Sequence, residues 1–132
     1  MLQEHAVKAG LGTTVALGVI FAINAEKFYI IIMPNIFEYL GIILYFYSNE
    51  HEPIHVHGRV GEFESKAEFY IVDGKITEIK IKEVTGKLPL KGAKLKDFKK
   101  FLRVYADRIV VKWIDYFIYH KEVSFEKIGV SL

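Results

Sequence analysis

The pattern of apolar and polar positions divides the chain into strands followed by helices. A dense apolar run, Leu40–Tyr47, predicts a central strand covered on both faces. Apolar or alternating runs at Ile54–Val60, Lys66–Val72 and Lys75–Glu83 predict three more strands, and Asp73-Gly74 marks a tight turn between the last two. The pattern therefore indicates a meander of antiparallel strands.

The last third of the chain changes to a helical period. Apolar residues, including Leu102, recur at spacings of three and four over residues 95–105 and predict one helix. Asp107 is a suitable cap for a second helix that ends near Tyr119 and buries Trp113. The predicted fold class is α+β, an antiparallel sheet of three to four strands followed by two C-terminal helices packed on one face.

The first 32 residues differ in composition from the rest. Ala9–Ala25 is uncharged, but it is short for a membrane span and holds three glycines. It also makes a poor secretory signal, because Ile23 stands where a small residue is needed. These two possibilities remain open beside two others, a β-hairpin that turns at Asn24–Lys27 and an upstream read-through ahead of Met33-Pro34. We therefore assign an N-terminal extension over residues 1–32 and a single α+β domain over residues 33–132.

Composition limits the chemistry without identifying it. A hydrophobic content of 52% predicts a packed interior, and the lack of cysteine excludes thiolate chemistry and is compatible with a reducing cytoplasm. The net charge is only +2, yet residues 87–112 form a basic stripe. A solvated helix face would have the same composition. The candidate nucleic-acid-binding residues of this stripe are Lys94, Lys96, Lys99, Lys100 and Arg103.

The densest concentration of reactive side chains lies at residues 48–58, where three of the five histidines occur. His55 and His57 are two apart on a predicted strand and should share one face. Pro53 lacks a backbone donor, which predicts that this strand starts at a sheet edge or beside a turn. We therefore expect the two imidazoles within about 7 Å of each other at a partly exposed concavity.

Three interpretations of this cluster remain open. His51, His55 and His57 are candidate catalytic residues, because imidazole titrates near pH 6.5 and two of them suit metal-independent RNA cleavage. His55 and His57 could instead ligate zinc, nickel, copper or iron, with His51 or a nearby glutamate completing the shell. Glu64 and Glu68 could reach the histidines across the next hairpin. The third interpretation is structural, with the rings packed on the sheet.

The chain also resembles a known family over about residues 33–128. The match rests on Pro-x-His-x-His, with Ile54 standing where the family usually has a second proline. The family is the small bacterial domain of unknown function 4160. The other residues that carry the resemblance are Met33-Pro34, Gly41, Tyr47–Glu50, Glu52–His57 and Trp113.

The resemblance implies a cytoplasmic protein that begins at the Met-Pro, with no established activity and no membrane association for residues 33–132. Members are often encoded beside small antitoxin-like proteins, which implies a toxin–antitoxin-like paired role with such a partner. The functional interpretation is a component of such a system that acts on RNA through the histidines. The alternatives are a metal-binding domain and a non-enzymatic module that binds a protein through a sheet edge or the basic helix. The sequence indicates no particular cofactor.

Overall fold

A computed structural model describes residues 17–23, 28–47 and 53–132, with side chains from Met33 onward. This part of the chain forms one sheet and one long helix. The elements, in chain order, are β1 (Leu17–Ile23), β2 (Phe28–Tyr39), β3 (Ile42–Tyr45), β4 (His55–Val60), β5 (Phe63–Val72), β6 (Lys75–Glu83), α1 (Gly92–Phe117) and β7 (Glu126–Ile128).

Strands β1 to β6 lie side by side in chain order, and each is antiparallel to the next. Strand β7 pairs parallel with β2, so the sheet is mixed and larger than the three to four antiparallel strands predicted. The first half of β2 pairs with β1, and the second half pairs with β3 and β7. Because β2 runs through Met33-Pro34 without a break, the domain boundary assigned at residue 33 falls inside a strand.

The dense apolar run at Leu40–Tyr47 is not one strand, as predicted, but a turn followed by the short strand β3. Leu40 and Gly41 have positive φ angles of 49° and 84° and form the two-residue turn between β2 and β3. Positive φ at both central residues is the geometry that matches the twist of a hairpin. Leucine rarely adopts this conformation, and for that reason the sequence pattern concealed the turn.

The two predicted helices are one continuous helix, α1. Asp107 lies in its middle with an exposed side chain instead of capping a second helix. The two apolar stripes join at a period of 3.6 with no glycine or proline between them, and an exposed Asp costs only about 0.7 kcal/mol relative to Ala. The residues that α1 buries are Phe98, Phe101, Leu102, Ala106, Ile109, Val110, Lys112 and Trp113. Of the described residues, none belongs to a helix long and apolar enough to cross a membrane.

Helix α1 covers one face of the sheet and approaches it most closely at Gly58 of β4. A Cβ atom at Gly58 would lie 2.4 Å from the Phe98 ring, so a larger residue would push the helix away. The Phe101 ring stacks on Tyr39 with a centroid distance of 5.1 Å and meets Phe37 edge-on at 5.3 Å. The core is therefore an aromatic layer between α1 and the first half of the sheet.

The C-terminal strand β7 is held against α1 by a buried lysine. Lys112 Nζ donates to the Ser124 carbonyl oxygen at 2.6 Å and lies 2.9 Å from the Glu126 carboxylate. Arg108 also pairs with Glu126. The hydrogen bonds from Lys112 and Arg108 outweigh burial and hold the pKa of the Glu126 carboxyl below its ordinary value. A network of charges therefore fixes β7 beside β2.

Leu102 and Trp113 are 1% and 6% exposed, so both are buried as the helical pattern predicts. Trp113→Ala should lower the free energy of unfolding by roughly 3–5 kcal/mol, because it leaves a cavity under the helix. Urea unfolding measures the loss. Val111→Ala is the control, since Val111 is 56% exposed on the same helix and should change stability by less than about 0.5 kcal/mol. Equally small effects would show that Trp113 contributes little to the core.

Candidate functional site

Strand alternation places His55 and His57 on the face of the sheet opposite α1. Gly58 faces the helix, so its neighbour His57, and His55 two residues before that, point the other way. The centroids of the two imidazole rings lie 5.2 Å apart. The two rings therefore share a face at the short separation expected from the sequence. His51, the third candidate, lies outside the described residues.

The sheet-edge alternative for this strand is wrong, and so is the expected exposure of its histidines. Strand β4 lies inside the sheet, between β3 and β5, and not at an edge, because Pro53 precedes the strand and its missing N–H costs no ladder bond. The histidines also do not line a partly exposed concavity. His55 is 4% exposed and His57 is 2% exposed, so both are buried.

Glu64 of β5 fixes the orientation of the His57 ring. The His57 Nδ1 atom lies 3.0 Å from Glu64 Oε2, and Glu64 is itself buried. Burial alone would raise the pKa of the Glu64 carboxyl, but the hydrogen bonds from His57 and Tyr45 outweigh it and place that pKa below its ordinary value. An ionised carboxylate only accepts hydrogen bonds. His57 therefore donates from Nδ1, and in the neutral ring the lone pair is on Nε2.

A backbone carbonyl fixes the His55 ring in the same way. His55 Nδ1 lies 2.6 Å from the Pro53 carbonyl oxygen, which can only accept, so Nδ1 is the donor. In the neutral form of either ring, the lone pair is therefore on Nε2. This is the form in which an imidazole accepts a proton or ligates a metal. In residues 17–23, 28–47 and 53–132, no group of three or more His, Asp or Glu side chains is arranged to hold a metal ion.

Two tyrosines complete the cluster, and the sequence reasoning identified neither. Tyr45 is the cross-strand partner of His57, its ring lies 5.3 Å from the imidazole, and its hydroxyl donates to Glu64. Burial raises the pKa of the Tyr45 phenol, and the hydrogen bond to Glu64 raises it further, so Tyr45 remains a donor. Tyr47 meets His57 edge-on at 4.7 Å. One sequence signal could have identified Tyr45. Tyr45 and His57 are equally distant from residue 51, so two antiparallel strands joined by a turn centred there would place them opposite each other.

Charged side chains surround the cluster on the same face. Lys66 is the cross-strand partner of His57, and Glu68 is the partner of His55. The Arg59 guanidinium lies over the Tyr45 ring at 5.2 Å. The face that α1 leaves uncovered is therefore a polar layer that contains both acids and bases.

The basic stripe lies on α1, on the opposite side of the sheet from the histidines. Four of its five candidate residues share the exposed outer face of the helix, and Lys94 does not join them. Lys94 Nζ instead donates to the Leu40 carbonyl oxygen and ties the start of α1 to the turn between β2 and β3. The structure therefore does not bring the stripe and the histidines together. The four residues on the outer face are Lys96, Lys99, Lys100 and Arg103.

The model of the family described as domain of unknown function (DUF4160) matches residues 41–114, which is more than half of the 132 residues. The chain belongs to the DUF4160 family. The matched DUF4160 segment runs from the β2–β3 turn into α1 and contains Tyr45, His55, His57 and Glu64. It confirms the family that the Pro-x-His-x-His resemblance indicated. Comparison with curated proteins and with solved structures finds no match.

The lowered pKa of Glu64 predicts a contribution to stability that acid removes. Its folded-state pKa lies below the ordinary value of about 4.5, so ionised Glu64 stabilises the fold above that pH. The contribution is lost as the pH falls through the folded-state pKa. Glu64→Gln should lower the free energy of unfolding at pH 7. Between about pH 5 and pH 3, the free energy of unfolding should fall less steeply for this variant than for the unmodified chain. Urea unfolding across this range measures both effects.

The matched control is Glu62→Gln, because Glu62 is exposed on the turn between β4 and β5. It should change neither quantity by more than about 0.5 kcal/mol. An acid dependence that is the same in Glu64→Gln as in the unmodified chain would contradict the assignment.

Proposed function

We propose that this DUF4160 domain uses the polar face of its sheet for acid–base chemistry, with His57 and His55 as the proton-transfer groups and RNA as the substrate. The observation that supports this most directly is the Glu64–His57 pair beside a second imidazole 5.2 Å away. A carboxylate that accepts from Nδ1–H orients the ring and stabilises the imidazolium that forms when Nε2 takes a proton.

The two histidines divide the two proton transfers of RNA cleavage. His57 Nε2 takes the proton of a 2′-hydroxyl, because the Glu64 carboxylate orients the His57 ring through Nδ1. The 2′-oxygen then attacks phosphorus and forms a 2′,3′-cyclic phosphate. Protonated His55 gives its Nε2 proton to the departing 5′-oxygen. Lys66, opposite His57 on β5, balances the negative charge on the phosphate oxygens.

Access to the two rings is a condition of this chemistry. Both imidazoles are nearly fully buried, so an RNA strand must displace side chains before it reaches either Nε2 atom. Tyr47 is one of these side chains, because it packs edge-on against His57 and is itself only half-buried. An unstacked base can replace that contact, since bases stack readily on aromatic rings.

The proposal extends to a cytoplasmic paired system in which a small antitoxin-like protein binds this domain. The support for this part is the family resemblance alone, which is an associational argument. It is separate from the acid–base proposal, which rests on the geometry of the histidine cluster.

His57→Asn should abolish RNA cleavage. Asparagine keeps an N–H for Glu64 but has no basic nitrogen, so it cannot accept the 2′-hydroxyl proton. The assay follows cleavage of a short RNA in the presence of a metal chelator, beside the same strand with 2′-deoxyribose at the cleaved position. His120→Asn is the matched control, because His120 is exposed and has a φ of 54°, which asparagine tolerates.

Three results would contradict the acid–base assignment. They are cleavage that survives His57→Asn, cleavage of the 2′-deoxy strand, and a wild-type chain that cleaves no RNA. Loss of activity on chelation would favour a metal site instead. Because His57 is buried, His57→Asn should also lower the melting temperature, so the assay must be run where circular dichroism shows that the variant is folded.

Binding of nucleic acid to the basic stripe is a separate prediction. Four exposed cations that each neutralise one phosphate give a slope of about −3 for log affinity against log salt on single strands. Replacing Lys99 and Lys100 by glutamine should make that slope shallower by about 1.4, as fluorescence anisotropy can measure. The matched control replaces Lys121 and Lys127, which are exposed but outside the stripe. Binding that salt does not weaken would contradict the prediction.

A further inference from the structure

A row of cross-strand partners runs from the histidine cluster to the β6 edge of the sheet. His57 of β4 lies opposite Lys66 of β5, and Lys66 lies opposite Lys82 of β6. The pairing of β5 with β6 is regular here, because the register shift comes later along β5, between Tyr70 and Ile71. Directly opposite residues share a face of the sheet, so both lysine side chains lie on the face that carries His57.

The Lys66–Lys82 pair places two like charges opposite each other, which is destabilising in a sheet. In the described part of the chain, neither lysine has an acidic residue as its cross-strand partner. The two carboxylates that flank Lys66 along β5 have other partners. Glu64 belongs to the histidine cluster, and Glu68 accepts a hydrogen bond from the Tyr70 hydroxyl at 2.8 Å. An anion bound beside the two lysines would offset their repulsion.

The neighbouring lysine of β6 is matched inside the protein. Lys80 lies two residues before Lys82 on the same face of the sheet, and its cross-strand partner is Glu68. The Lys80 ammonium group also lies over the Tyr70 ring, at 4.9 Å from the centroid. Two lysines of the same strand and the same face therefore differ in their surroundings. Lys80 has an acid and an aromatic ring, whereas Lys82 has only another lysine opposite it.

Charge and spacing indicate how an RNA strand would use this row. Neighbouring strands lie about 4.8 Å apart, so the Cα atoms of Lys66 and Lys82 are about 5 Å and 10 Å from that of His57. Each phosphodiester carries one negative charge, so one phosphate matches one lysine and leaves the other unmatched. Lys66 faces the phosphate at the histidines. Lys82 is exposed and lies one strand further out, so the adjacent phosphate of the same RNA strand can reach it from solvent.

We propose that Lys82 binds the phosphate next to the one that is cleaved, so that the RNA strand crosses the sheet from His57 past Lys66 to the β6 edge. This inference rests on the proposed function for the position of the cleaved phosphate. It adds a requirement on the length of the substrate. A strand with two successive phosphates should bind this face more tightly than a strand with one.

The test compares a dinucleotide with a trinucleotide, which have one and two phosphates between their nucleosides. Both carry 2′-deoxyribose at the cleaved position, so that neither reacts. Nuclear magnetic resonance titration of the isotope-labelled chain gives the two dissociation constants at two salt concentrations that differ tenfold. The trinucleotide should bind more tightly. Its advantage should fall about fivefold at the higher salt concentration, because one further phosphate contact steepens the logarithmic salt dependence by about 0.7.

Lys82→Gln should abolish the advantage of the trinucleotide, because it removes the cation that meets the second phosphate. A purely structural role of Lys82 would instead weaken the binding of both ligands alike. Lys80→Gln is the matched control, since it makes the same change of charge on the same strand and the same face, and it should keep the advantage. Both variants retain the basic stripe of α1, so any binding there is common to the two and cancels in the comparison.

Three results would overturn the inference. They are equal binding of the two ligands by the unmodified chain, an advantage that survives Lys82→Gln, and an advantage that Lys80→Gln removes as completely. Since the ligands are not cleaved, these results are separate from the chemistry. A chain that shows the expected difference but cleaves no RNA contradicts the proposed acid–base function and not the phosphate contact of Lys82. Thermal melting of each variant confirms that it is folded.

Discussion

The contact between Gly58 and Phe98 determines which face of the sheet forms the apolar core and which face carries the polar side chains. Because residue 58 has no side chain, α1 approaches β4 closely enough for the aromatic layer to form beneath it. Strand alternation then forces His57 and Arg59, the two neighbours of Gly58, onto the other face. A single close approach thereby separates an apolar core from a polar layer, and the position of the candidate site depends on it.

The polar layer is stable because its buried charge is surrounded by donors. Burying the Glu64 carboxylate would be costly in isolation, but it accepts hydrogen bonds from His57 and Tyr45. Tyr45 remains protonated because burial raises the pKa of its phenol, and loss of the proton would also place a second negative charge beside Glu64. The same bonds that offset the cost of burial also fix the orientation of the His57 ring, so the stability of the layer and the geometry of the candidate site depend on one set of contacts.

Local rules of sequence predicted those features that depend on neighbouring residues alone. Asp73-Gly74 gave the correct turn and the correct bounds for β6, and the period of two placed His55 and His57 on one face. The turn at Leu40-Gly41 was missed because leucine rarely adopts the positive φ that residue 40 has. Asp107 was misjudged because a cap residue and an exposed mid-helix residue look alike in sequence. The burial of the histidines and the role of Tyr45 depend on pairing between strands, which no local pattern shows.

Strand β2 is where the two ends of the described chain meet. β1 pairs with its first half, and β7 pairs with its second half from about ninety residues further along, with Phe37 opposite Glu126. Closing so long a loop costs more conformational entropy than closing any of the hairpins. The hydrogen bond and the salt bridge of the buried Lys112 stabilise that distant pairing. The sheet therefore combines pairings between neighbouring strands with the long-range pairing of β2 and β7, to which Lys112 of α1 contributes.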